Sequence, residues 1–337
     1  MERMYWGIVS AGKICHDFVN ALNDPTGPAA AHNKVVAVGA RQLDRAKTFA
    51  EHHGISTVYG SYQEVADDEN INIVYIGNTT GQHFEVCKMM LNAGKHVLCE
   101  KSLTTHYSAS KELYDLASSK SLFLMEALWS NFFPTYMEIK NQLALETVGK
   151  VVHMEASFGL AISDVPRLNL RDLGGGASLD LGVYLVNLVR LVFEREEPIE
   201  IIARGDLYPT GVDSGWDAIL VFSGNRRAVL KCSSKYKLSN TARLAGMQGC
   251  IELPDPFHCP TSIKLPNGDS YSFDLPDQPA NAYNFENSAG LSYECAAASE
   301  AIRAGKLECE EYTPADSLYI AKILEEINKQ IGSKMAD

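Results

Sequence analysis

The feature that most constrains the fold of this chain is an alternation of short apolar runs with helical segments over its first third. The apolar runs include "YWGIVS", "KVVAVGA", "NIVYIGN" and "HVLCEK", and segments with helical character such as "DRAKTFAEHHG" lie between them. Continuous apolar runs are typical of strands that are buried on both faces, and helical crossovers join such strands in parallel. The pattern predicts an α/β fold with a doubly wound parallel sheet for residues 1–125.

Residues 126–337 follow a different pattern, in which strand-like segments of alternating polarity are separated by turns such as "SGNRR" and "LPNGDS". Helices are predicted over 134–145, 178–193, 292–304 and 314–331. Alternating strands are typical of an antiparallel sheet with one exposed face. We therefore predict a C-terminal α+β domain with a large, mostly antiparallel open sheet, which binds substrate. Because too few helices follow to cover both faces, the open face is predicted to meet a second copy of the chain in a homodimer.

Composition and charge narrow the classes of protein to which the chain can belong. With 337 residues, of which 46% are hydrophobic, the chain is long enough for two globular domains. Its net charge of −12 opposes binding to nucleic acid, and its longest apolar region, 179–193, is too short and too polar to span a membrane. The eight cysteines include no C-x-x-C pair, and a strand begins almost at the N-terminus. A reduced, cytoplasmic protein without a signal peptide is therefore expected.

The first strand is followed by a turn that matches a dinucleotide-binding fingerprint in part. In "WGIVSAGKIC" the glycine positions of G-x-G-x-x-G are Ser10, Gly12 and Cys15, so only the middle glycine is present. That glycine lets a pyrophosphate approach the backbone where a helix begins, and Lys13 and Ile14 begin this helix. The turn predicts cofactor binding by a Rossmann-type domain. A turn with a purely structural role is the alternative.

The end of the second strand carries the signal for the type of cofactor. Proteins that bind NAD commonly have an acidic residue there for the ribose hydroxyls, whereas arginine suits the 2′-phosphate of NADP. Here "VAVGARQLDRA" places Arg41 at this position and Arg45 one helical turn later, without an acid at the key position. The predicted cofactor is NADP, and the alternative is that Arg41 is a solvated residue at the start of a helix.

A charged pair, Glu100 and Lys101, ends the apolar run "VLCEK". Ligands of a doubly wound sheet bind at the carboxyl ends of its strands. Lys101 is therefore predicted to project toward a bound nicotinamide. The alternative is that the pair only marks the point at which the strand reaches water.

Two segments resemble the glucose–fructose oxidoreductase/inositol dehydrogenase family. "GKHVLCEK" is similar to the segment that ends in the family's Glu-Lys-Pro motif, although Ser102 stands where the family has proline. "GGGASLDLGVYLVN" is similar to a glycine-rich stretch of the family with an aspartate and, four residues later, a histidine. These positions are Asp180 and Tyr184 here. Further similar blocks, from "WGIVSAGKI" to "NFENSAGLSYE", extend nearly from end to end.

The resemblance implies roles that the residues alone do not establish. It implies catalytic roles for Lys101, Asp180 and Tyr184, and it adds Asn78, His83, Glu100 and Lys101 to the cofactor site. It also implies a cytoplasmic, homodimeric NADP-dependent dehydrogenase that transfers hydride between nicotinamide and a carbinol carbon of a small cyclic diol or sugar, such as a trans-dihydrodiol or D-xylose. The phenol of a tyrosine has an ordinary pKa of about 10, and a nearby lysine ammonium would favour the phenolate that accepts the hydroxyl proton.

Four residues are candidates for the lining of a substrate pocket: Trp129, Phe158, Arg167 and Phe285. Aromatic rings suit a flat or cyclic substrate, and an arginine suits its polar groups. Ordinary core aromatics and a solvated loop arginine are the alternatives. The histidines show no metal-ligand spacing, so no metal is expected.

Two other functions stay open on the sequence alone. The chain could be a sugar or anhydrosugar reductase of the same family, which runs in the reductive direction. It could also be a non-catalytic NADP-binding regulator that has kept the fold. The retained Lys101, Asp180 and Tyr184 argue against the regulator.

Overall fold

The computed structural model describes residues 3–277, 279 and 281–335. The chain forms two compact units, each built from separate stretches of sequence. The first unit comprises Met1–Leu103, Ser108–Phe132 and Leu275–Pro314, and the second comprises Thr104–Tyr107, Phe133–Asp274 and Ala315–Asp337. The sequence analysis, by comparison, predicts a single boundary between residues 125 and 126.

The first unit contains a six-stranded sheet in which all neighbouring strands are parallel. Its strands are β1 (Met4–Val9), β2 (Asn33–Gly39), β3 (Thr57–Tyr59), β4 (Ile73–Ile76), β5 (His96–Glu100) and β6 (Leu124–Ala127). They lie in the order β3-β2-β1-β4-β5-β6, which is the strand order of dinucleotide-binding folds. The strands stay parallel throughout, but successive strands are added to one side of β1 up to β3 and to its other side from β4 onward. The predicted doubly wound parallel sheet is confirmed.

Helices cross over between these strands and cover both faces of the sheet. They are α1 (Lys13–Asn23), α2 (Leu43–His53), α3 (Tyr62–Asp67), α4 (His83–Asn92) and α5 (Tyr107–Ser119). All four residues of β4 are buried, which explains its uninterrupted apolar sequence. Helix α2 ends where Gly54 adopts a φ of +65°, a left-handed conformation that glycine takes without steric cost.

The second unit contains an eight-stranded sheet. Its strands are β7 (Val151–Gly159), β8 (Glu200–Leu207), β9 (Asp213–Phe222), β10 (Arg226–Ser233), β11 (Ala242–Gly246), β12 (Gly249–Leu253), β13 (Ser262–Lys264) and β14 (Ser270–Ser272). They lie in the order β14-β13-β12-β11-β7-β10-β9-β8, and only the β7–β10 pair is parallel. The predicted large, mostly antiparallel open sheet is confirmed.

The later helices are α6 (Pro134–Ala144), α7 (Pro166–Asn169), α8 (Val183–Val192), α9 (Leu291–Arg303) and α10 (Pro314–Ile331). Helix α8 is entirely buried and follows a π-helical turn over Ser178–Gly182. Its one charged side chain, Arg190, pairs with the buried Asp316, with Nη1 3.4 Å from Oδ1. By length and composition the stretch Arg171–Val192 could cross a membrane, but 94% of its most apolar part is buried inside the fold, as in the core helix of a globular unit.

One face of the eight-stranded sheet is covered by α8, and the opposite face is open. The strand registers place one row of side chains across the open face. From β8 to β13 the row reads Ile202, Ile219, Val229, Glu155, Arg243, Glu252 and Lys264. One half of the row is therefore apolar, and the other half alternates in charge.

Candidate active site

The turn after β1 keeps the shape of a glycine-rich loop with only one of the three glycines. Ser10, at the first glycine position, has a φ of +91°, a conformation that residues with a side chain rarely adopt. Gly12 immediately precedes α1, and a Cβ placed on it would have no neighbour closer than 3.7 Å. A Cβ at this position would therefore make ordinary van der Waals contacts with Ser10 and Gly77, without overlap. The N–H groups at the start of a helix have no partner within it, so they suit a pyrophosphate at this point.

Cys15 occupies the third glycine position, where glycine allows a helix and a strand to approach closely. Its thiol is fully buried, and Sγ lies 3.6 Å from the carbonyl oxygens of Val9 and Gly77. A Cβ on Gly77, just after β4, would overlap with this sulfur. Gly77, across the contact from Cys15, therefore provides the space that a glycine at position 15 would otherwise provide. Burial raises the pKa of the Cys15 thiol to about 12, so the thiol is neutral and acts as a small apolar group.

A cleft of about 540 Å³ begins at this turn and lies between α1 and α2. Gly12, Lys13 and Arg45 line it, and Asn284 joins them from a later segment of the same unit. Arg45 lies beside the turn, with Nη2 3.4 Å from the carbonyl oxygen of Ala11. A glycine turn, a helix N-terminus and two cationic side chains fit the phosphates of a dinucleotide.

Arg41 lies just after β2 and is exposed. It interacts with the phenol of Tyr62, whose pKa is raised mainly by burial. No acidic side chain occupies the end of β2, and Asp44, in the first turn of α2, is almost fully exposed to solvent. The arrangement leaves two exposed arginines, Arg41 and Arg45, close to the segment where the sequence analysis expects the ribose of the cofactor.

The segment that carries Lys101 is tied to α4 by a buried histidine. His83 lies with Nδ1 2.9 Å from the carbonyl oxygen of Ser102 and with Nε2 3.2 Å from the carbonyl oxygen of Asn78. Burial lowers the pKa of the His83 ring, so the neutral ring donates to one of the two carbonyls. The structure thus brings Asn78, His83 and the cis peptide between Lys101 and Ser102 together at the carboxyl ends of β4 and β5.

Two buried carboxyl groups hold the backbone on either side of Lys101. Glu100 accepts a short hydrogen bond from the hydroxyl of Tyr75 and a 3.3 Å hydrogen bond from the N–H of Lys101. Glu126 accepts a 2.9 Å hydrogen bond from the N–H of Leu103. The backbone of Lys101 is therefore fixed. A lysine that only marked the point at which the strand reaches water would not need such a fixed backbone.

A third carboxyl group, that of Glu294 in α9, is fully buried in the same unit. Within the described part of the chain, neither of its oxygens has a hydrogen-bond partner. Burial raises the pKa of Glu294 well above its ordinary value, and the charge of Glu100 raises it further. Burial and the nearby charge of Glu100 therefore both favour the protonated, neutral form of Glu294.

In the second unit, Asp180 lies on the π-helical turn before α8 and pairs with Arg167. Nη1 of Arg167 is 2.9 Å from Oδ1, and Nη2 is 3.3 Å from Oδ2. A two-point contact of this kind fixes the plane of the carboxylate. The structure therefore joins two residues that the sequence analysis assigns separately, one to catalysis and one to the substrate pocket.

The start of the π-helical turn is anchored by Ser178. The carboxyl group of Asp213 accepts hydrogen bonds from the N–H of Ser178 at 2.8 Å and from its hydroxyl at 3.0 Å, and the indole of Trp216 donates to the same hydroxyl at 2.8 Å. A Cβ on Gly176 would overlap with this carboxyl group, so the glycine-rich stretch allows the close approach. Burial raises the pKa of Asp213 to about 6, although the hydrogen bonds from Ser178 act in the opposite direction.

Tyr184, in the first turn of α8, is buried among aromatic rings. Its ring centroid lies 5.7 Å from that of Phe158 and 5.1 Å from that of His258, and the rings of Phe158 and His258 stack at 4.3 Å. The structure thus brings the predicted residues Phe158 and Tyr184 into contact. It also adds His258, which the sequence analysis did not single out.

The other two candidates for the substrate pocket, Trp129 and Phe285, lie in the first unit. Trp129 is buried in a short 3₁₀ turn, Trp129–Phe132, after β6. Phe285 is about half exposed, and its N–H donates to the carboxylate of Asp17 at 3.0 Å. A common pocket for these two residues with Phe158 and Arg167 remains a prediction.

Some residues of the site were missed by sequence reasoning although a signal was present. "LFLMEALW" has a single acid, Glu126, inside an apolar run, and such a buried charge usually has partners. "DPFHCP" has an aromatic pair between prolines that contains His258. Asp213 carries no comparable signal, because only the tertiary structure places it beside Ser178.

The fold and the site define an oxidoreductase with a dinucleotide-binding unit, and comparisons with known families agree. The model of the oxidoreductase family with an NAD-binding Rossmann fold, GFO/IDH/MocA, matches residues 4–128, and the GFO/IDH/MocA C-terminal domain matches residues 136–252. The chain belongs to this family of NAD(P)-binding oxidoreductases. The family resemblance expected from the sequence is confirmed.

Two relatives that match nearly the whole chain share one name. The chain is 42% identical over 327 residues to a protein from Xenopus tropicalis and 40% identical over 327 residues to a protein from Homo sapiens. Both are named trans-1,2-dihydrobenzene-1,2-diol dehydrogenase, and the matches cover 97% of this chain and 98% and 96% of the two relatives.

Two solved structures show the same fold at lower identity. One is a 3-ketoreductase from Actinomadura kijaniata in complex with NADP and TDP-benzene, with a TM-score of 0.82, 24% identity and coverage of 99% of both chains. The other is levoglucosan dehydrogenase in complex with NADH and levoglucosan, with a TM-score of 0.84, 16% identity and coverage of 98% of this chain and 97% of that one.

Proposed function

We propose that this protein is an NADP-dependent dehydrogenase that oxidises a carbinol carbon of a small cyclic diol or sugar. The first substrates to test are trans-1,2-dihydrobenzene-1,2-diol and D-xylose. The observation that carries the proposal is the fixed position of Lys101, whose backbone is held by Glu100 and whose neighbour Ser102 is held by His83. The full-length similarity to relatives named for a dihydrodiol substrate supports the same reaction.

The proposed preference for NADP rests on Arg41 and Arg45. Both guanidinium groups are exposed near the start of α2, and no acid stands at the end of β2 to hold a ribose hydroxyl. Of the two solved structures with this fold, one is a complex with NADP and the other a complex with NADH, so the fold accepts either cofactor. The preference for NADP over NAD is therefore argued from Arg41 and Arg45 of this chain and not from the fold.

The proposed chemistry divides between the cofactor and the side chains. A nicotinamide cofactor, when bound, would supply the acceptor for the hydride of the carbinol carbon. Tyr184 takes the hydroxyl proton, and the ammonium of Lys101 stabilises the negative charge that develops on oxygen. Asp180, which is held in plane by Arg167, positions the substrate hydroxyl groups. That these side chains act on one substrate is part of the proposal.

Kinetics of single and double variants test this assignment. Lys101→Met and Tyr184→Phe should each lower turnover about 10²–10⁴-fold, with cofactor binding nearly unchanged in a fluorescence titration. The losses should not add in the double variant, because residues that act as a unit share one effect. Asp180→Asn should cost less turnover than either.

Matched controls are Lys111→Met and Tyr236→Phe, which remove the same functional groups from exposed positions. Both should keep full activity. Near-normal turnover of Lys101→Met would remove the lysine from the mechanism.

A substrate panel separates the proposal from its two alternatives. Dihydrodiols, pentoses and hexoses are scanned for oxidation with NADP and NAD, and ketosugars or anhydrosugars are scanned for reduction, by absorbance of the reduced cofactor. Faster reduction than oxidation at neutral pH would favour a sugar or anhydrosugar reductase. Cofactor binding without turnover of any substrate would favour a non-catalytic regulator.

Assembly and location complete the proposal. A homodimer through the open face of the eight-stranded sheet is supported by the apolar half of its row, Ile202, Ile219 and Val229. A cytoplasmic location is supported by the cysteines, which form no disulfide in the described part of the chain and, apart from Cys250, are buried.

A further inference from the structure

Three histidines that are separate in the sequence meet on one wall of the cleft in the first unit. His16 lies on α1, and His52 and His53 are the last two residues of α2. The ring centroids lie 5.0 Å apart for His16 and His52 and 4.8 Å apart for each of the other two pairs. One nitrogen from each ring can be chosen such that all three lie within 4.8 Å of one another.

The surroundings of His16 resemble those of a metal ligand. Its Nε2 lies 3.2 Å from the carbonyl oxygen of Ala282 and 3.0 Å from Nδ2 of Asn20. A histidine that binds a metal commonly donates its second ring N–H to a backbone carbonyl, which fixes the tautomer and the ring plane. Nε2 can either donate to Ala282 or accept from the amide of Asn20, and this amide also donates to Ala282 at 2.5 Å. The site proposed below uses the tautomer in which Nε2 donates to Ala282 and the lone pair of His16 lies on Nδ1.

The other two histidines contribute in different ways. Nε2 of His53 is buried and has no hydrogen-bond partner among the residues that the structure describes. A buried nitrogen without a partner is costly unless something satisfies it. His52 is exposed. In a tetrahedral site with Zn–N bonds of about 2.0–2.1 Å, ligand nitrogens lie about 3.4 Å apart, so formation of the site requires the three nitrogens to move closer together than the 4.8 Å within which they lie in the structure.

We propose that His16, His52 and His53 form a three-nitrogen binding site for a divalent transition metal ion, with Zn²⁺ as the reference ion. Imidazole is a preferred ligand of Zn²⁺, Co²⁺ and Ni²⁺, and three protein ligands leave a further position open to water in the cleft. The positive charges of Lys13 and Arg45, which line the same cleft, oppose a cation and limit the affinity. The site does not depend on the proposed substrate or on the catalytic pair.

Spectroscopy with Co²⁺ and competition with Zn²⁺ test the site directly. The full chain is prepared without a histidine tag in a Cys250→Ser background, because Cys250 is the one cysteine that is not buried. Titration with Co²⁺ should give visible absorption bands of a low-coordinate nitrogen site at a ratio of one ion per chain, and Zn²⁺ should abolish them. Zn²⁺ should also raise the melting temperature, and a chelator should reverse the rise.

Variants locate the ion. His52→Ala, at an exposed position that folding does not require, should weaken binding about tenfold or more, and His16→Gln and His53→Gln should do the same. His153→Ala is the matched control, since His153 is exposed and lies 3.0 Å from Glu155 in the other unit. Unchanged binding by His52→Ala would overturn the proposal, whatever the result for His153→Ala. Absence of any one-to-one binding in the parent protein would overturn it equally.

Discussion

Cys15 and Gly77 show how a single contact can preserve a fingerprint that looks incomplete in sequence. The third glycine of the dinucleotide turn is replaced by a cysteine, and the opposite strand end supplies the glycine instead. The helix and the strand can still approach closely, because the small residue of the contact is Gly77 at the end of the strand and not a glycine in the helix. A match restricted to one segment of sequence cannot detect such an exchange.

Gly77→Ala should therefore destabilise the protein by about 1–3 kcal/mol, because its Cβ would overlap with the Cys15 sulfur in a close-packed core. The same substitution in a Cys15→Ala background should cost much less, because the sulfur is absent. Urea unfolding of the two single variants and the double variant measures this coupling. Equal costs of Gly77→Ala in both backgrounds would show that the contact is not the reason for the glycine.

Arg41 provides the residue-scale test of cofactor type. Arg41→Ala should weaken NADP by about 1.5–3 kcal/mol, the usual range for a hydrogen bond to a charged group, and should affect NAD far less because only NADP carries the 2′-phosphate. Arg227→Ala, which removes an exposed arginine of the second unit, should change neither affinity. Equal losses for NADP and NAD in fluorescence titrations would contradict the assignment.

At the scale of elements, the π-helical turn and α8 depend on neighbours from other parts of the second unit. Ser178 links the turn to Asp213 and Trp216 of β9, and Arg167 reaches Asp180 from α7. A π-helical turn is uncommon and is often found at functional sites, since it changes the direction of side chains within a helix. Here it separates Asp180 from the regular helix that carries Tyr184.

Asp213 gives this element a measurable pH dependence. Its folded pKa is raised from 3.8 to about 6, so the folded state holds its proton more tightly than the unfolded state, and stability from this group is lost as pH rises from about 4 through 6. Asp213→Asn mimics the protonated form and removes the effect. Relative to the wild type, the variant should therefore gain about 2–3 kcal/mol between pH 4 and pH 7.

The comparison is made by urea unfolding of both proteins at several pH values, so that contributions from all other groups cancel. Asp217→Asn is the control, because Asp217 lies on the same strand but is exposed. A difference between wild type and Asp213→Asn that does not change with pH would contradict the raised pKa.

At the scale of the whole molecule, the open face of the second sheet is the main candidate for contact with another copy. An exposed row that is half apolar and half alternating in charge can pair with itself about a two-fold axis, since acidic positions can meet basic ones.

Ile219→Lys should therefore weaken the proposed dimer, because it places a charge in the apolar half of the row. Light scattering at micromolar concentration should then give the monomer mass, with an unchanged circular dichroism spectrum. Leu145→Lys, at an exposed apolar position outside the sheet, should leave the dimer intact. A monomer mass for the parent protein would refute the dimer itself.

Much of the architecture could be predicted because local patterns specify it. The uninterrupted apolar runs identified the parallel strands, and the cap sequence Thr313-Pro314 with Gly332 identified the bounds of α10. The return of residues 275–314 to the first unit has no such signal, because it depends on contacts between segments far apart in the chain. One of these contacts is the hydrogen bond from Ser288 to Asp17 at 2.7 Å.

The sequence by itself determined the two kinds of sheet and the family, since these follow from periodicity and from short ordered motifs. It also named candidate site residues, whose roles stay predictions. Only the tertiary structure decided which groups meet: Arg167 with Asp180, Gly77 with Cys15, His258 with Tyr184, and the three histidines of α1 and α2. The physical reason is the separation along the chain over which each kind of interaction acts. Hydrophobic periodicity acts between neighbours along the chain, whereas charge pairing, close packing and ligand geometry act between atoms that only the completed fold brings within a few ångströms.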